Sequence, residues 1–252
     1  TNYGGHVLLH GIQGGYFIKA FSKHGPLHNP FSYGYFDHAT HENFQGGHVT
    51  VGGVVYQADL FPPSFRGKYI AGDLLGHGVH WHEIVPAQST VRTKHGNTLL
   101  VSNDPWFAPT DISIGPDGAI YVSDWQDARM AHPDPDAEWD RSNGRVYRIA
   151  PEHSRQSPID LTKLTGEELF QLLLQPNQWL VRRARQEFVR RNDTSFNFRL
   201  IKLAKNEARS PEALEALWTL STLNGVEPEL LSELLNSPHP AVRKWSVRLL
   251  GD

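Results

Sequence analysis

A tight turn between two short apolar runs places the strongest constraint on how this chain can fold. The turn is Gly115-Pro116-Asp117-Gly118, and the runs are Ile112–Ile114 and Ile120–Val122. Proline presets φ for the first central position of a turn, and glycine supplies a positive φ where the strands reverse. Each run alternates apolar with small or polar residues, as a half-buried strand does. The sequence predicts a hairpin here, and a third strand, Arg145–Ile149, follows a second turn signal.

A further set of strands is predicted just before this hairpin. The apolar patterns cover residues 47–56, 68–73, 78–85 and 98–101, which gives one four-stranded, up-and-down unit. Two such units in succession are typical of β-propeller blades. A propeller closes with roughly four to eight blades, so only part of a ring is predicted. Residues 1–45 are irregular and loop-rich.

The second half of the chain has a helical pattern. Thr165-Gly-Glu-Glu168 is a capping box that opens a helix, and the segment 173–184 recurs at 234–245. Six helices in three hairpins predict an α-solenoid of HEAT-like repeats. The predicted fold is therefore multidomain, β then α. It has a partial propeller of antiparallel four-stranded sheets over residues 1–150, a linker over 151–160, and about six solenoid helices over 161–252.

Composition excludes several classes of function. The net charge of -3 gives no basic field for nucleic acid. No apolar stretch reaches the roughly 18–20 residues that span a bilayer. Cysteine is absent, which excludes disulfides, zinc–thiolate sites and thiol nucleophiles in this segment. The chain begins at Thr1 without an initiator methionine or signal peptide, so we expect a fragment of a longer protein.

The chain resembles a bacterial family known from planctomycetes and verrucomicrobia. Its members are similar to sorbosone/glucose-dehydrogenase-type β-propellers followed by HEAT repeats and often by a haem-binding cytochrome c domain. The resemblance covers about residues 36–252, although the Cys-x-x-Cys-His haem motif is absent from this segment. It rests on these motifs, in order: Phe44-Gln-Gly-Gly-His-Val-Thr50, Gly53-Val-Val-Tyr-Gln57, Phe65-Arg-Gly-Lys-Tyr-Ile-Ala71, Trp81-His82, Trp106-Phe-Ala-Pro-Thr-Asp111, Gly115-Pro-Asp-Gly118, Asp124-Trp125, Asn143-Gly-Arg145 and Val247–Asp252.

The resemblance implies an exported, periplasmic or extracellular, quinoprotein-like dehydrogenase. Such an enzyme oxidises a sugar or polyol with pyrroloquinoline quinone (PQQ) and Ca²⁺, and passes electrons to a cytochrome c domain or protein. The HEAT repeats would then serve as a docking module. The main alternative is a non-catalytic, carbohydrate-binding propeller with a protein-interaction solenoid. Metal-dependent hydrolysis by a His/Asp cluster ranks below both.

Candidate catalytic residues lie at the starts of the expected innermost strands. By resemblance, His48 would act as general base on a sugar hydroxyl, with Asp111 beside it in the central funnel. The planar guanidinium of Arg145 would pair with a quinone carboxylate. The alternative for these residues is structural: Asp111 caps a turn, His48 is a hydrogen-bonding residue at a strand end, and Arg145 lies on the surface.

Aromatic and histidine side chains supply candidate binding residues. Trp106 and Trp125 are candidates for contact with a flat cofactor, and Phe107 for stacking on a sugar ring; core packing is the alternative use of such rings. His38 and His41 lie in a loop expected to reach over the funnel, where they would contact substrate.

A polar loop after the last hairpin supplies candidate metal ligands. Asp124 and Asp127, with backbone carbonyl groups and no thiol, would suit Ca²⁺. The alternative is a solvated acidic loop in which Asp124 pairs with Arg129 or Arg145.

Overall fold

The chain folds into two compact units, residues 1–155 and 156–252. The computed structural model describes residues 7–17, 31–36, 38–45, 50–88, 90–128, 142–155 and 158–251. Within these residues the first unit forms ten strands: β1 (Gly15–Phe17), β2 (Gly34–Phe36), β3 (His41–Glu42), β4 (Thr50–Val55), β5 (Tyr69–Asp73), β6 (Gly78–Ala87), β7 (Thr90–Val101), β8 (Pro109–Ile114), β9 (Ile120–Asp124) and β10 (Arg145–Ile149). The second unit forms six helices: α1 (Gly166–Leu172), α2 (Gln178–Arg191), α3 (Asn197–Ala204), α4 (Ser210–Asn224), α5 (Pro228–Leu234) and α6 (Pro240–Gly251).

The strands form three separate sheets. The largest has the order β3-β7-β6-β5-β4, in which only the two-residue strand β3 pairs in parallel. The second sheet, β10-β9-β8, is antiparallel throughout. In the third, β1 and β2 pair in parallel. Most neighbours in the two larger sheets follow one another in sequence, because short turns join antiparallel strands.

The predicted hairpin is confirmed as β8 and β9. Gly118 has a φ of 76°, and its N–H donates to the carbonyl oxygen of Gly115 at 3.0 Å. Tyr56 is fully buried beneath this turn. Its hydroxyl donates to the carbonyl oxygen of Gly118 at 3.0 Å and accepts the backbone N–H groups of Leu60 and Phe61 at 3.1 Å. The hairpin tip is therefore fastened to the loop that follows β4.

The core of the first unit lies where the two larger sheets meet. It is built from buried apolar side chains on β5, β6, β8 and β9 and in the segments beside them. The principal members are Tyr56, Ile70, Val79, Phe107, Ile112, Ile120 and Val122. Because side chains alternate along a strand, each of these strands has a second face that points away from this core. The candidate functional residues lie on those outer faces or at the strand ends.

The second unit has one continuous core that runs through all six helices. The capping box at the start of α1 is confirmed: the Thr165 hydroxyl accepts the N–H of Glu168, and the Glu168 carboxylate accepts the N–H of Thr165. Arg191, at the end of α2, donates to the carbonyl oxygens of Leu161, Thr162 and Leu164.

The predicted propeller and HEAT-like solenoid are wrong. The sheets have five, three and two strands within the described residues, and none is closed, whereas the prediction required repeated four-stranded blades. The helices are also unequal, since α1 and α5 have seven residues and α4 has fifteen. They share one core rather than forming a stack of equivalent repeats. What the structure supports is the coarser order of strands first and helices second.

Candidate functional site

The predicted site residues do not gather around one axis. His48 lies outside the described residues. Asp111 is exposed on β8, opposite Ser123 of β9, whereas Arg145 is exposed on β10, opposite Asp124. Within the described ranges, the remaining predicted residues divide between two regions of the first unit.

The first region, the tryptophan surface, is formed by Asp104, Trp106, Trp125, Gln126 and Arg145. It lies where the pairing of β8 with β9 continues past the strand ends. The N–H of Trp125 donates to the carbonyl oxygen of Ala108 at 2.9 Å, and the N–H of Asp127 donates to that of Trp106 at 3.0 Å. These two bonds hold the segments 104–108 and 124–127 side by side.

Buried polar side chains fix the backbone of this region. Asp124 is 5% exposed, and its Oδ1 accepts the N–H groups of Ala108 and Gln126, both at 2.8 Å. Gln126 is equally buried and has a φ of 53°, a left-handed conformation that few residues other than glycine adopt. The Gln126 side-chain amide donates to Asp104 Oδ2 at 2.9 Å.

Asp104 is the anionic group at the surface of this region. Its Oδ1 accepts the N–H of Trp106 at 2.9 Å. The hydrogen bond from the Gln126 amide, that from the Trp106 N–H, and the charges of Arg145 and His77 all lower the pKa of Asp104. Asp104 is therefore ionised at neutral pH, with both carboxylate oxygens held in place.

The two tryptophans of the region are accessible to solvent. Trp106 is 39% exposed and Trp125 is 56% exposed, and Trp125 Nε1 donates to Asp127 Oδ2 at 3.3 Å. Phe107, the predicted sugar contact, is 1% exposed and packs edge-to-face on Tyr147 at 5.5 Å. A ligand at the surface can therefore reach the two indole rings but not the buried ring of Phe107.

The predicted calcium ligands have other roles. Asp124 uses Oδ1 to bind two backbone N–H groups, and Asp127 is almost fully buried and binds the Trp125 indole. Across the described part of the chain, no three histidine, cysteine or acidic side chains are arranged to hold a metal ion. Ca²⁺ binding by Asp124 and Asp127 stays a prediction from the sequence, because residues 129–141 of the loop that follows them lie outside the described residues.

The second region, the histidine cleft, lies on the outer face of the five-stranded sheet. Its polar floor comes from Asp73 on β5 and from His80 and His82 on β6. The two histidines share one face of their strand because side chains alternate along it. Its other lining residues are Val7, Phe44, Gln45, Thr50, Ala71 and Gly72, around a small space that is open to solvent and has room for about one water molecule. The predicted substrate residues His38 and His41 lie in the segment 38–45, which carries Phe44 and Gln45.

Four imidazole rings are packed together beside this cleft. The ring of His82 lies 5.1 Å from that of His41 and 5.5 Å from that of His95, and His80 and His95 are also 5.5 Å apart. Burial, together with the three neighbouring imidazoles, lowers the pKa of His82 to about 3. Burial and His80 also lower the pKa of His95. Both rings are therefore neutral at neutral pH.

Asp73 supplies the carboxylate of the cleft. It is 4% exposed, and its Oδ1 accepts the N–H of Gly76 at 2.9 Å. Its Oδ2 lies 3.7 Å from His80 Nε2, while His80 Nδ1 lies 3.0 Å from the hydroxyl of Thr98.

Sequence reasoning missed Asp104, Gln126 and His95. Asp104 and Gln126 are 22 residues apart and meet only because β8 and β9 pair. His95 joins the other imidazoles through the β6–β7 register, which places it opposite His82. Two features of the sequence could have pointed to these residues. One is the turn-forming pattern around Asp104, and the other is the large number of histidines, 14 in the chain.

A family model described as "Domain of unknown function (DUF7133)" matches residues 23–153. The chain belongs to the DUF7133 family. Neither the curated proteins nor the solved structures contain a match to it. The DUF7133 match covers the tryptophan surface completely, and it covers every residue of the histidine cleft except Val7. Among the described helices, none is long and apolar enough to cross a membrane.

Proposed function

We propose that the DUF7133 unit binds a carbohydrate at the tryptophan surface. The observation that carries this proposal is the pair of accessible indole rings, Trp106 and Trp125, beside an ionised carboxylate that is held in place by two hydrogen bonds. An exposed tryptophan offers a flat apolar face, and the C–H face of a sugar ring is flat and apolar as well.

The polar groups beside the rings suit the hydroxyl groups of a sugar. The anionic Asp104 accepts hydrogen bonds from hydroxyl donors, while the exposed guanidinium of Arg145 donates to hydroxyl oxygens. The backbone around these groups is fixed by the bonds to Asp124 and the Gln126 amide. Such a surface loses little conformational entropy when a ligand binds.

Oxidation of the sugar stays a prediction from the resemblance, as do PQQ, the cytochrome partner and export. The predicted base His48 lies outside the described residues, and the exposed Asp111 belongs to neither region. Carbohydrate binding at the tryptophan surface is the function that the described geometry supports best.

Calorimetric titration of the chain with neutral oligosaccharides of different backbones tests the proposal. We expect at least one to bind, and Trp106→Ala or Trp125→Ala to weaken that binding about tenfold each, which corresponds to about 1.4 kcal/mol. Phe198→Ala is the matched control, because Phe198 is an aromatic residue of the helical unit that is 79% exposed. Failure of every oligosaccharide to bind, or equal binding by the tryptophan variants and the control, would refute the proposal.

A further inference from the structure

A row of arginine and tryptophan side chains crosses three helices of the second unit. Helix α4 packs against both α2 and α6, and the row follows these contacts from one helix to the next. The guanidinium of Arg185 on α2 lies 5.6 Å from the centre of the Trp218 ring on α4. That ring packs edge-to-face on Trp245 of α6 at 5.3 Å, and the guanidinium of Arg248 lies 5.0 Å from the centre of the Trp245 ring. The row therefore has a guanidinium group at each end and two indole rings between them.

Both ends of the row are accessible to solvent. Arg248 is exposed, and so is Arg182, which lies about one turn before Arg185 on α2. Arg182 is close enough to Glu215 of α4 for its charge to lower the pKa of that carboxyl group. The two tryptophans between the ends are partly exposed. We term Arg182, Arg185, Trp218, Trp245 and Arg248 the arginine–tryptophan row.

The three helices of the row carry an excess of positive charge. Helices α2, α4 and α6 contain eight arginine and lysine residues and three glutamates, whereas the whole chain has 24 basic and 27 acidic residues. Each of the three glutamates pairs with arginine: Glu187 with Arg190 and Arg191, Glu212 with Arg209, and Glu215 with Arg185. Positive charge is therefore concentrated on these helices, while the chain as a whole is slightly acidic.

Two exposed arginines on α2 make hydrogen bonds to neutral groups. Arg182 Nε donates to the carbonyl oxygen of Gln178 at 3.0 Å. Arg183 Nη1 donates to the side-chain oxygen of Gln186 at 3.0 Å, and its guanidinium also lies over the ring of Trp179. These bonds leave the guanidinium charges in place, and a guanidinium has five N–H donors in a planar fork that matches a carboxylate. The surface of α2 is therefore complementary to an anionic partner.

The length of the row indicates what kind of anionic partner fits it. Packed helices lie 8–10 Å apart, so the path from α2 over α4 to α6 is about 16–20 Å long. An extended peptide rises about 3.3 Å per residue and covers that path with about six residues. A lipid headgroup or a single phosphate is too short to contact both ends of the row. The net charge of the chain, -3, disfavours a long polyanion such as nucleic acid.

We propose that the arginine–tryptophan row is a docking site for an extended acidic segment of a partner protein. Carboxylates of the segment pair with Arg182 at one end and with Arg248 at the other, and the chain between them lies across the two partly exposed indole rings. This site belongs to the helical unit, residues 156–252, which follows the residues of the DUF7133 match. It is independent of carbohydrate binding at the tryptophan surface.

NMR titration of the whole chain with an end-capped hexaglutamate peptide tests this proposal. The indole N–H signals of Trp218 and Trp245 should shift as the peptide is added, whereas those of Trp106 and Trp125 in the first unit should not. An end-capped hexaglutamine peptide is the control for length and backbone, and it should produce no shift. Because salt screens exposed ion pairs, sodium chloride at about 0.5 M should abolish the response to hexaglutamate.

Variants of exposed basic residues locate the binding site. Arg182→Gln removes one ion pair with the peptide and should weaken binding about fivefold, whereas Arg182→Lys keeps the charge and should retain most of the affinity. Lys202→Gln is the matched control, because it removes a positive charge from an exposed position on α3, and it should leave the affinity unchanged. Absence of shifts at Trp218 and Trp245, or equal weakening by Arg182→Gln and Lys202→Gln, would overturn the proposal. Binding of phosphatidylserine vesicles or of a single-stranded oligonucleotide in place of hexaglutamate would also overturn it.

Discussion

Glu215 should make the stability of the helical unit depend on pH near neutrality. This carboxyl group lies on α4, is 4% exposed, and accepts a hydrogen bond from Arg185 at 2.8 Å through Oε1. Its Oε2 is buried and has no hydrogen-bond partner in the described structure. Burial outweighs the favourable effect of the Arg185 guanidinium and raises the pKa of Glu215 from 4.5 to about 7.

The sign and size of the effect follow from this shift. Between pH 4.5 and 7 the folded state keeps a proton on Glu215 that the unfolded state has released. The free energy of unfolding therefore falls as the pH rises through this range, and it levels off above pH 7. One pKa unit corresponds to about 1.4 kcal/mol, so a shift from 4.5 to about 7 corresponds to about 3 kcal/mol.

Substitution of Glu215 by glutamine removes this dependence, because the amide stays neutral at every pH. Relative to wild type, we expect Glu215→Gln to have similar stability at pH 5 and to be more stable at pH 8 by up to about 3 kcal/mol. Hydrogen exchange of the α4 amides in the whole chain measures this free energy. Glu212→Gln is the matched control, one turn earlier on the same helix, with a side chain 22% exposed. Parallel pH profiles for Glu215→Gln and wild type, or a wild-type profile that rises from pH 5 to pH 7, would refute the reasoning.

Two further predictions concern the first unit, and both are measured by urea unfolding followed by tryptophan fluorescence. Tyr56→Phe leaves the N–H groups of Leu60 and Phe61 without their acceptor and should cost about 2–3 kcal/mol; an unchanged midpoint would contradict this. Gly118→Ala combines a positive φ with a new Cβ only 2.9 Å from Leu60 Cβ, and should cost more than about 1 kcal/mol. Gly67→Ala is its control, because Gly67 also has a positive φ, 84°, but has open space around it. If the two variants lose the same free energy of unfolding, the contact with Leu60 makes no contribution to the cost of Gly118→Ala.

Local features of this fold were predictable from sequence. The β8–β9 turn depends on four adjacent residues, and the capping box of α1 on residues three apart, so the sequence alone carries their geometry.

Long-range pairing was not predictable, and the error in the fold came from it. Strand β3 has two residues and no periodicity, yet it pairs with β7 about fifty residues away at His41 and Thr93. The regular spacing of predicted strands indicates how many strands form, but it does not determine which strands pair or whether they close into a ring. The prediction of equivalent repeats therefore failed for the sheets and for the helices alike.

The candidate site was predictable in part. Trp106 and Trp125 were identified, and both are accessible. Asp124 was identified as a metal ligand, but its Oδ1 binds the N–H of Ala108, sixteen residues away. A carboxylate followed by polar residues predicts a cation site and a backbone anchor equally well, because both use the same acceptor oxygens. The tertiary structure shows the backbone anchor through Oδ1, and the cation site stays a prediction.

The three carbonyl oxygens bound by Arg191 precede the first helix of their unit. A truncated polypeptide starting at Gly166 would retain all six helices but lose Leu161, Thr162 and Leu164. The guanidinium at the end of α2 would then keep only Glu187 as a partner among these contacts. We therefore expect the boundary for autonomous folding of the helical unit to lie upstream of its first α-helix, and deletion mapping should place it before Leu161.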